Sequence, residues 1–248
     1  MFPIRDHNPS HRTPYVTYAL IAVNTAIWLW SMVVLTSDAS LSRFYYDFAM
    51  IPALISGGAG QTGLVTSMFL HAGFLHLAGN MLFLFVFGDN LEDRMGHLPF
   101  AAFYIACGVG AALVQVMADP FSPVPTVGAS GAIAGVMGGY LLLYPKARVD
   151  IILILIIFFK IFPVPAWIVL GVWFLMQVWG EFTAPAALGG VAYWAHIGGF
   201  VIGLGLALPL WLRLGGTAFW RQTHGHPPHP PASYMDGSSR IPIVRRRK

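Results

Sequence analysis

Apolar residues along this chain fall into long blocks, and the charged residues fall between the blocks. Six blocks approach the length a helix needs to cross a hydrocarbon core of about 30 Å at 1.5 Å per residue. They cover residues 15–35, 74–87, 100–117, 127–144, 166–180 and 191–211. The second and fifth are short and extend into neighbouring apolar residues, with Asp89 and Glu92 standing where the second helix leaves the membrane. Nowhere do apolar and polar residues alternate with the period of two that a membrane barrel requires. The pattern therefore predicts an all-α polytopic membrane protein, a bundle of six transmembrane helices. Residues 151–162 form one further apolar stretch, which carries Lys160 and runs into Pro163 and Pro165. As a helix it reaches only about 18 Å, so it reads as an interfacial segment or an extension of the fifth span rather than a seventh crossing.

Composition sharpens this picture. Of 248 residues, 56% are hydrophobic and 10% charged, against roughly 45–50% and about 25% in soluble domains. With six spans, one side receives Arg5, Arg12, Arg94, Lys146, Arg148 and the seven basic residues from Arg213 onward, twelve of the 14 in the chain. That excess marks the cytoplasmic side. It also accounts for the net charge of +4 without invoking nucleic acid. The organisation expected is a short cytoplasmic N-terminus over 1–14, a six-helix domain over 15–212, and a disordered basic cytoplasmic tail over 213–248. The first apolar run reads as a retained signal anchor, in a prokaryotic plasma membrane. The tail holds His224, His226 and His229 with nothing to fix them around a metal, and Cys107 lies inside an apolar run where it packs. No metal or organic cofactor is expected.

With both termini on one side, the second, fourth and sixth helices all run from outside to inside, so their N-terminal ends share one face. On those ends lie His71, His76 and Asn80, then Ser130, then His196, while the odd-numbered helices carry no comparable group. Polar groups in hydrocarbon are costly unless paired and usually mark function. His76 and Asn80, four apart, project from one helix face. Gly131, Gly135 and Gly139 repeat every four residues on the fourth helix, as Ala195, Gly199 and Gly203 do on the sixth. Such small-residue seams allow close helix approach in lipid, which predicts that these two helices pack together with Ser130 and His196 at the outer end of the contact.

A serine hydroxyl needs a base to become a nucleophile, and His196 is the candidate. Ser130 heads its helix, where backbone N–H groups and the helix dipole favour a developing oxyanion. Asn80 and His76 offer further donors. Asp119 and Glu181 are the only acids close to the outer helix ends, and neither is spaced to orient His196. The reading is a two-residue Ser–His site. Taken singly, each of these residues has a plainer explanation: a glycine-flanked serine packs and bonds back to a carbonyl, and a histidine in a span is structural. It is their convergence on one face that points to chemistry. By the same reasoning Asp89–Arg94 is a solvated turn, and Met68 and Met81 are core or lipid-facing.

In these motifs the chain resembles the rhomboid family of intramembrane serine proteases. The likeness covers about residues 66–206: His71, four residues, His76, three residues, Asn80; then Gly128-Ala129-Ser130-Gly131; then Ala195-His196-Ile197-Gly198-Gly199 with Gly203. The resemblance implies a catalytic dyad of Ser130 and His196, an oxyanion site lined by His76, Asn80 and the Ser130 N–H, and a structural or hydrogen-bonding role for His71. It implies that Glu92 and Arg94 brace the cytoplasmic end of the second and third helices. Some members stack an aromatic residue, four after the serine, on the histidine. Here that position is Ala134, which leaves Tyr193 or Trp194 to orient His196. Membership further implies cleavage of transmembrane segments of other proteins in the bilayer near its outer face, a capping loop over 181–191, and a fifth helix that tilts to admit substrate. The rival readings are an inactive rhomboid-like protein that binds helices without cutting, a haem or proton carrier using the histidines, and a transporter. Ser130 with His196 argues against the first. The histidines lie toward one surface rather than at the midplane, against the second. Only residues 151–165 hint at the third.

Overall fold

The apolar blocks become helices, and the gaps between them become short helices and one small sheet. The computed structural model describes residues 2–8, 10–155, 158–183 and 190–227. In chain order the elements are β1 (Phe2–Asp6), α1 (Tyr15–Val34), α2 (Asp38–Phe48), α3 (Pro52–Ser56), α4 (Gly63–Thr66), α5 (Phe74–Met95), α6 (His97–Ala118), α7 (Ser130–Leu143), β2 (Arg148–Leu155), β3 (Phe158–Pro165), α8 (Ala166–Thr183), α9 (Tyr193–Arg213) and α10 (Thr217–Thr223). Helices α1, α5, α6, α8 and α9 are long and apolar enough to cross a membrane. The protein is a multi-pass helical membrane protein.

The remaining apolar helix, α7, fourth in chain order, has 14 residues and reaches only about 21 Å. Gly131 through Tyr140 and Leu143 are buried, so α7 forms the centre of the bundle. Its glycines explain how. A Cβ at Gly199 would lie 2.1 Å from the Gly131 carbonyl oxygen, and one at Gly203 would lie 2.0 Å from that of Gly135. A Cβ at Gly138 would meet the Phe200 carbonyl at 2.2 Å. The backbones of α7 and α9 touch along the predicted seam, with Gly138 added to it. Gly139 faces side chains, of Leu91, Phe103 and Ala207, rather than the α9 backbone.

At the end of the bundle remote from Ser130, aromatic rings of α5, α7 and α10 lock together through Phe87, Tyr140, Tyr144 and Phe219. The Trp220 indole donates to the Leu142 carbonyl at 2.9 Å. Folded structure therefore continues past Arg213, which the expectation of a tail from 213 missed. Residues 228–248, including His229 and the terminal basic cluster, lie outside the described residues.

The sheet rules out one of the two readings of 151–162, the extension of the fifth span. It has the order β1-β2-β3, antiparallel throughout, with Arg148 opposite Pro165 and Ile151 opposite Phe162. The isoleucine and valine content favours strands, and Pro163 and Pro165 sit on an edge strand, where a missing N–H is tolerated. The N-terminal residues are likewise not a free segment. Asp150 accepts from Arg5 and pairs with His7, while Asp6 accepts from Asn8, Tyr140 and Asn90. Burial, with the Asp89 carboxylate nearby, pushes Asp6 up to about 7.

Asp89–Arg94 is not a solvated turn. It forms part of α5, and Glu92 is 1% exposed. The Glu92 carboxylate accepts from the Val16 and Thr17 N–H groups, both at 2.8 Å, and from the Thr17 hydroxyl at 2.7 Å. It thereby satisfies donors that the first turn of α1 leaves unpaired, in a helix whose own N-cap provides no side-chain bond. His97 at the start of α6 bonds to the same carboxylate. Glu92 thus joins α1, α5 and α6. Arg94 instead donates to the Tyr144 hydroxyl and lies over the Phe219 ring.

Candidate active site

Ser130 is the first residue of α7, and no side chain caps that N-terminus. The preceding chain is held by a bridge from Thr126 to Met50 and by the Gly128 N–H donating to the Ser67 carbonyl at 2.9 Å. Gly128 has φ +129°, in the region glycine alone enters cheaply. A Cβ there would stand 2.7 Å from His76 Nε2 and 3.5 Å from Ser130 Oγ. The bare glycine therefore keeps open a space bounded by the histidine and the serine hydroxyl.

Across that space, α5 presents His76 and Asn80. Asn80 Nδ2 donates to His71 Nε2 at 2.9 Å, which leaves its second N–H uncommitted to His71. Burial, reinforced by the nearby His76, holds His71 well below its usual pKa. A neutral His71 is what lets its ring nitrogen accept from Asn80. The His71 and His76 rings meet edge to face at 5.1 Å.

On α9, His196 Nε2 lies 2.7 Å from Ser130 Oγ. The other ring nitrogen, Nδ1, lies 2.8 Å from Gln177 Oε1 on α8. The Trp173 ring is 5.8 Å from the imidazole at an interplanar angle of 34°. The Ala195 N–H donates to Gln115 Oε1, fixing the start of α9 against α6.

The structure thus brings together Ser130, His196, His76, Asn80 and His71, with Gly128, Gly131 and Gly199 allowing the approach. It leaves Glu92 and Arg94 at the opposite end of α5, about 24 Å of helix away from His76. Two residues were missed. Gln177 and Trp173 stand where Tyr193 or Trp194 was expected, and an odd-numbered span does carry a polar group of the site. Tyr193 instead fills the space beside Gly180. The signal was present, since Gln177 is an amide within an otherwise apolar stretch of α8. The group that ordinarily orients such a histidine is a carboxylate, and Gln177 is not one. Of the expected capping loop, residues 184–189 lie outside the described residues. Among the described residues, no group of His, Cys, Asp or Glu is placed to hold a metal ion.

Comparison with known proteins places this geometry. Residues 58–213 match the family model described as the Rhomboid domain. Rhomboid protein 1, mitochondrial, of Saccharomyces cerevisiae is 28% identical over 197 residues, covering 76% of this chain and 51% of that protein. RHOMBOID-like protein 5 of Arabidopsis thaliana is 33% identical over 158 residues, covering 60% and 44%. Rhomboid protease GluP of Bacillus subtilis is 40% identical over 78 residues, covering 32% and 15%. The chain spans about half the length of the first two of these relatives.

Proposed function

The chain belongs to the rhomboid family, and on that premise we propose that it is an intramembrane serine endopeptidase whose dyad is Ser130 and His196. The observation that carries the reading is the 2.7 Å contact between Ser130 Oγ and His196 Nε2 at an uncapped helix N-terminus. Ser130 Oγ attacks a peptide carbonyl carbon while its proton passes to His196 Nε2. The oxyanion is held by the Ser130 N–H, Asn80 and His76, each such donor contributing about 3–4 kcal/mol. The carbon–nitrogen bond then breaks as the imidazolium protonates the leaving amine. Water next attacks the acyl carbon, giving its proton to His196, and the ester bond breaks as that proton returns to Ser130 Oγ.

Three further features complete the proposal. Helix α7 is the fourth of six crossings, and its short length sets Ser130 inside the apolar zone rather than at its edge. Arg5, Arg94, Lys146 and Arg148 lie at the sheet end, which supports a cytoplasmic sheet end and an active site opening to the outer face. The substrates are transmembrane segments of other proteins, reached by displacement of α8, whose packing is chiefly against α9 and which exposes Trp167, Val172, Leu175, Met176 and Trp179.

The test is cleavage of a labelled transmembrane substrate in liposomes by the wild-type chain, Ser130→Ala and His196→Ala, with the cut mapped by mass spectrometry. Cleavage at or within the helix by wild type alone is the expected result. Wild-type silence on several glycine-containing substrates, with Ser130 also inert to a fluorophosphonate, refutes the protease and leaves a helix-binding protein.

A further inference from the structure

We infer that Gln177 is a positioning residue for His196, fixing its tautomer and ring orientation in the place that a carboxylate holds in other serine hydrolases. The inference rests on the dyad just proposed. Its first support is the orientation of the amide itself. Gln177 Nε2 donates to the Trp173 carbonyl one turn back at 3.1 Å, so the amide nitrogen is engaged and the oxygen faces the imidazole. A carboxamide oxygen only accepts. The 2.8 Å contact to His196 Nδ1 therefore requires the proton on Nδ1 and leaves Nε2 with a bare lone pair toward Ser130 Oγ. That is the tautomer a general base needs. With the proton on Nε2 instead, the imidazole cannot take a proton from the serine.

The second support is steric. Trp173 and Gln177 are four residues apart on α8 and share one face of it. The tryptophan ring lies alongside the imidazole while the amide holds its far nitrogen, so rotation about the Cβ–Cγ bond meets a ring on one side and loses a hydrogen bond in either direction. Ala134 of α7 is fully buried and supplies no ring of its own. With no ring at position 134, the contacts that orient the imidazole come from a pair on α8.

A neutral amide does this without placing a net charge in the bundle. When His196 becomes imidazolium, Nδ1–H still points at a fixed dipole. A buried carboxylate would bring a desolvation cost of several kcal/mol.

The experiment reads the tautomer and the turnover separately. Full-length chain with 15N-labelled histidine in bilayers is examined by solid-state NMR, with His196→Ala identifying the His196 signals. Cleavage kinetics are measured on the same preparations. Wild type should show a protonated Nδ1 and an unprotonated Nε2. Gln177→Leu should mix or reverse that pattern and lower kcat about 10- to 100-fold with KM within about twofold. Gln177→Glu, held neutral by burial and so keeping a carbonyl oxygen as acceptor, should retain the wild-type tautomer and most of the turnover. Should the leucine variant fail to insert, Gln177→Met, close to glutamine in length and volume, takes its place. A wild-type His196 protonated on Nε2 overturns the inference. So does an unchanged tautomer in the leucine or methionine variant, whatever happens to its activity. Failure of the protease reading shows instead as wild-type silence toward substrate and is independent of the NMR result.

Discussion

The close approach of α9 to α7 at Gly203 makes a quantitative prediction. A Cβ at Gly203 would lie 2.0 Å from the Gly135 carbonyl oxygen and 2.4 Å from the Gly135 Cα. Neither neighbour is a flexible side chain, so Gly203→Ala forces the helices apart. Restoring ordinary van der Waals contact of 3.4 Å requires α9 to move off α7 by about 1.4 Å at that point. His196 is seven residues away on the same helix, about 10 Å along its axis. If α9 shifts as a rod, the 2.7 Å dyad contact lengthens to about 4 Å and the hydrogen bond is gone. A misplacement of about 1 Å costs on the order of 100-fold in rate, equivalent to about 2.7 kcal/mol in the barrier. Overpacking adds about 1–3 kcal/mol of destabilisation. The control lies two residues on, since a Cβ at Gly205 meets nothing within 4 Å. The assay is substrate cleavage in liposomes, paired with fluorophosphonate labelling of Ser130 and thermal unfolding. Gly203→Ala should lose about 100-fold in kcat and unfold at a lower temperature, and Gly205→Ala should match wild type. Equal activity of the two variants refutes the claim that the glycine seam sets the dyad distance.

Glu92→Gln should destabilise the chain by about 2 kcal/mol or more, because a buried carboxylate with several donors becomes an amide that presents N–H to N–H. The check is a double-mutant cycle with Thr17→Val in thermal unfolding, where additive effects would refute direct capping. For Asp6 the sign follows from its raised pKa. The folded state binds the proton more tightly than the unfolded state, so the contribution of Asp6 is fully favourable below about pH 4 and is lost as pH rises to about 7. Asp6→Asn should remove that part of the pH dependence. Thermal midpoints of both proteins across pH 4 to 8 decide it, and parallel curves refute the assignment.

The site was legible where sequence constrains backbone. Ser130, His196, His76 and Asn80 were found because helix direction and four-residue spacing place them on one face, and the α7–α9 pairing was found because only glycine permits it. The ends of α1 were read within a residue because charge and proline bound that block. Where polar residues find partners across the fold, the sequence misled. Asp89–Arg94 read as a solvated turn, yet α5 continues to Met95 with Glu92 satisfied by α1 and His97. Gln177 read as nothing, since its meaning depends on which helix faces it. The sheet was hidden because a continuous apolar run of twelve residues has no period to distinguish strand from helix. The strand signal lay in its isoleucines and in the prolines that follow.

The bond between Glu92 and the start of α1 spans 75 residues of sequence, and a chain is made in order. Helix α1 leaves the ribosome and meets the bilayer while the carboxylate that caps it has yet to be synthesised. Until α5 arrives, its first N–H groups are served by water at the membrane surface, and its face toward α5 has no partner. Helix α1 is thus made before α5 and α6 and seated only once they follow, and the arrival of Glu92 turns an independent membrane anchor into a wall of the bundle.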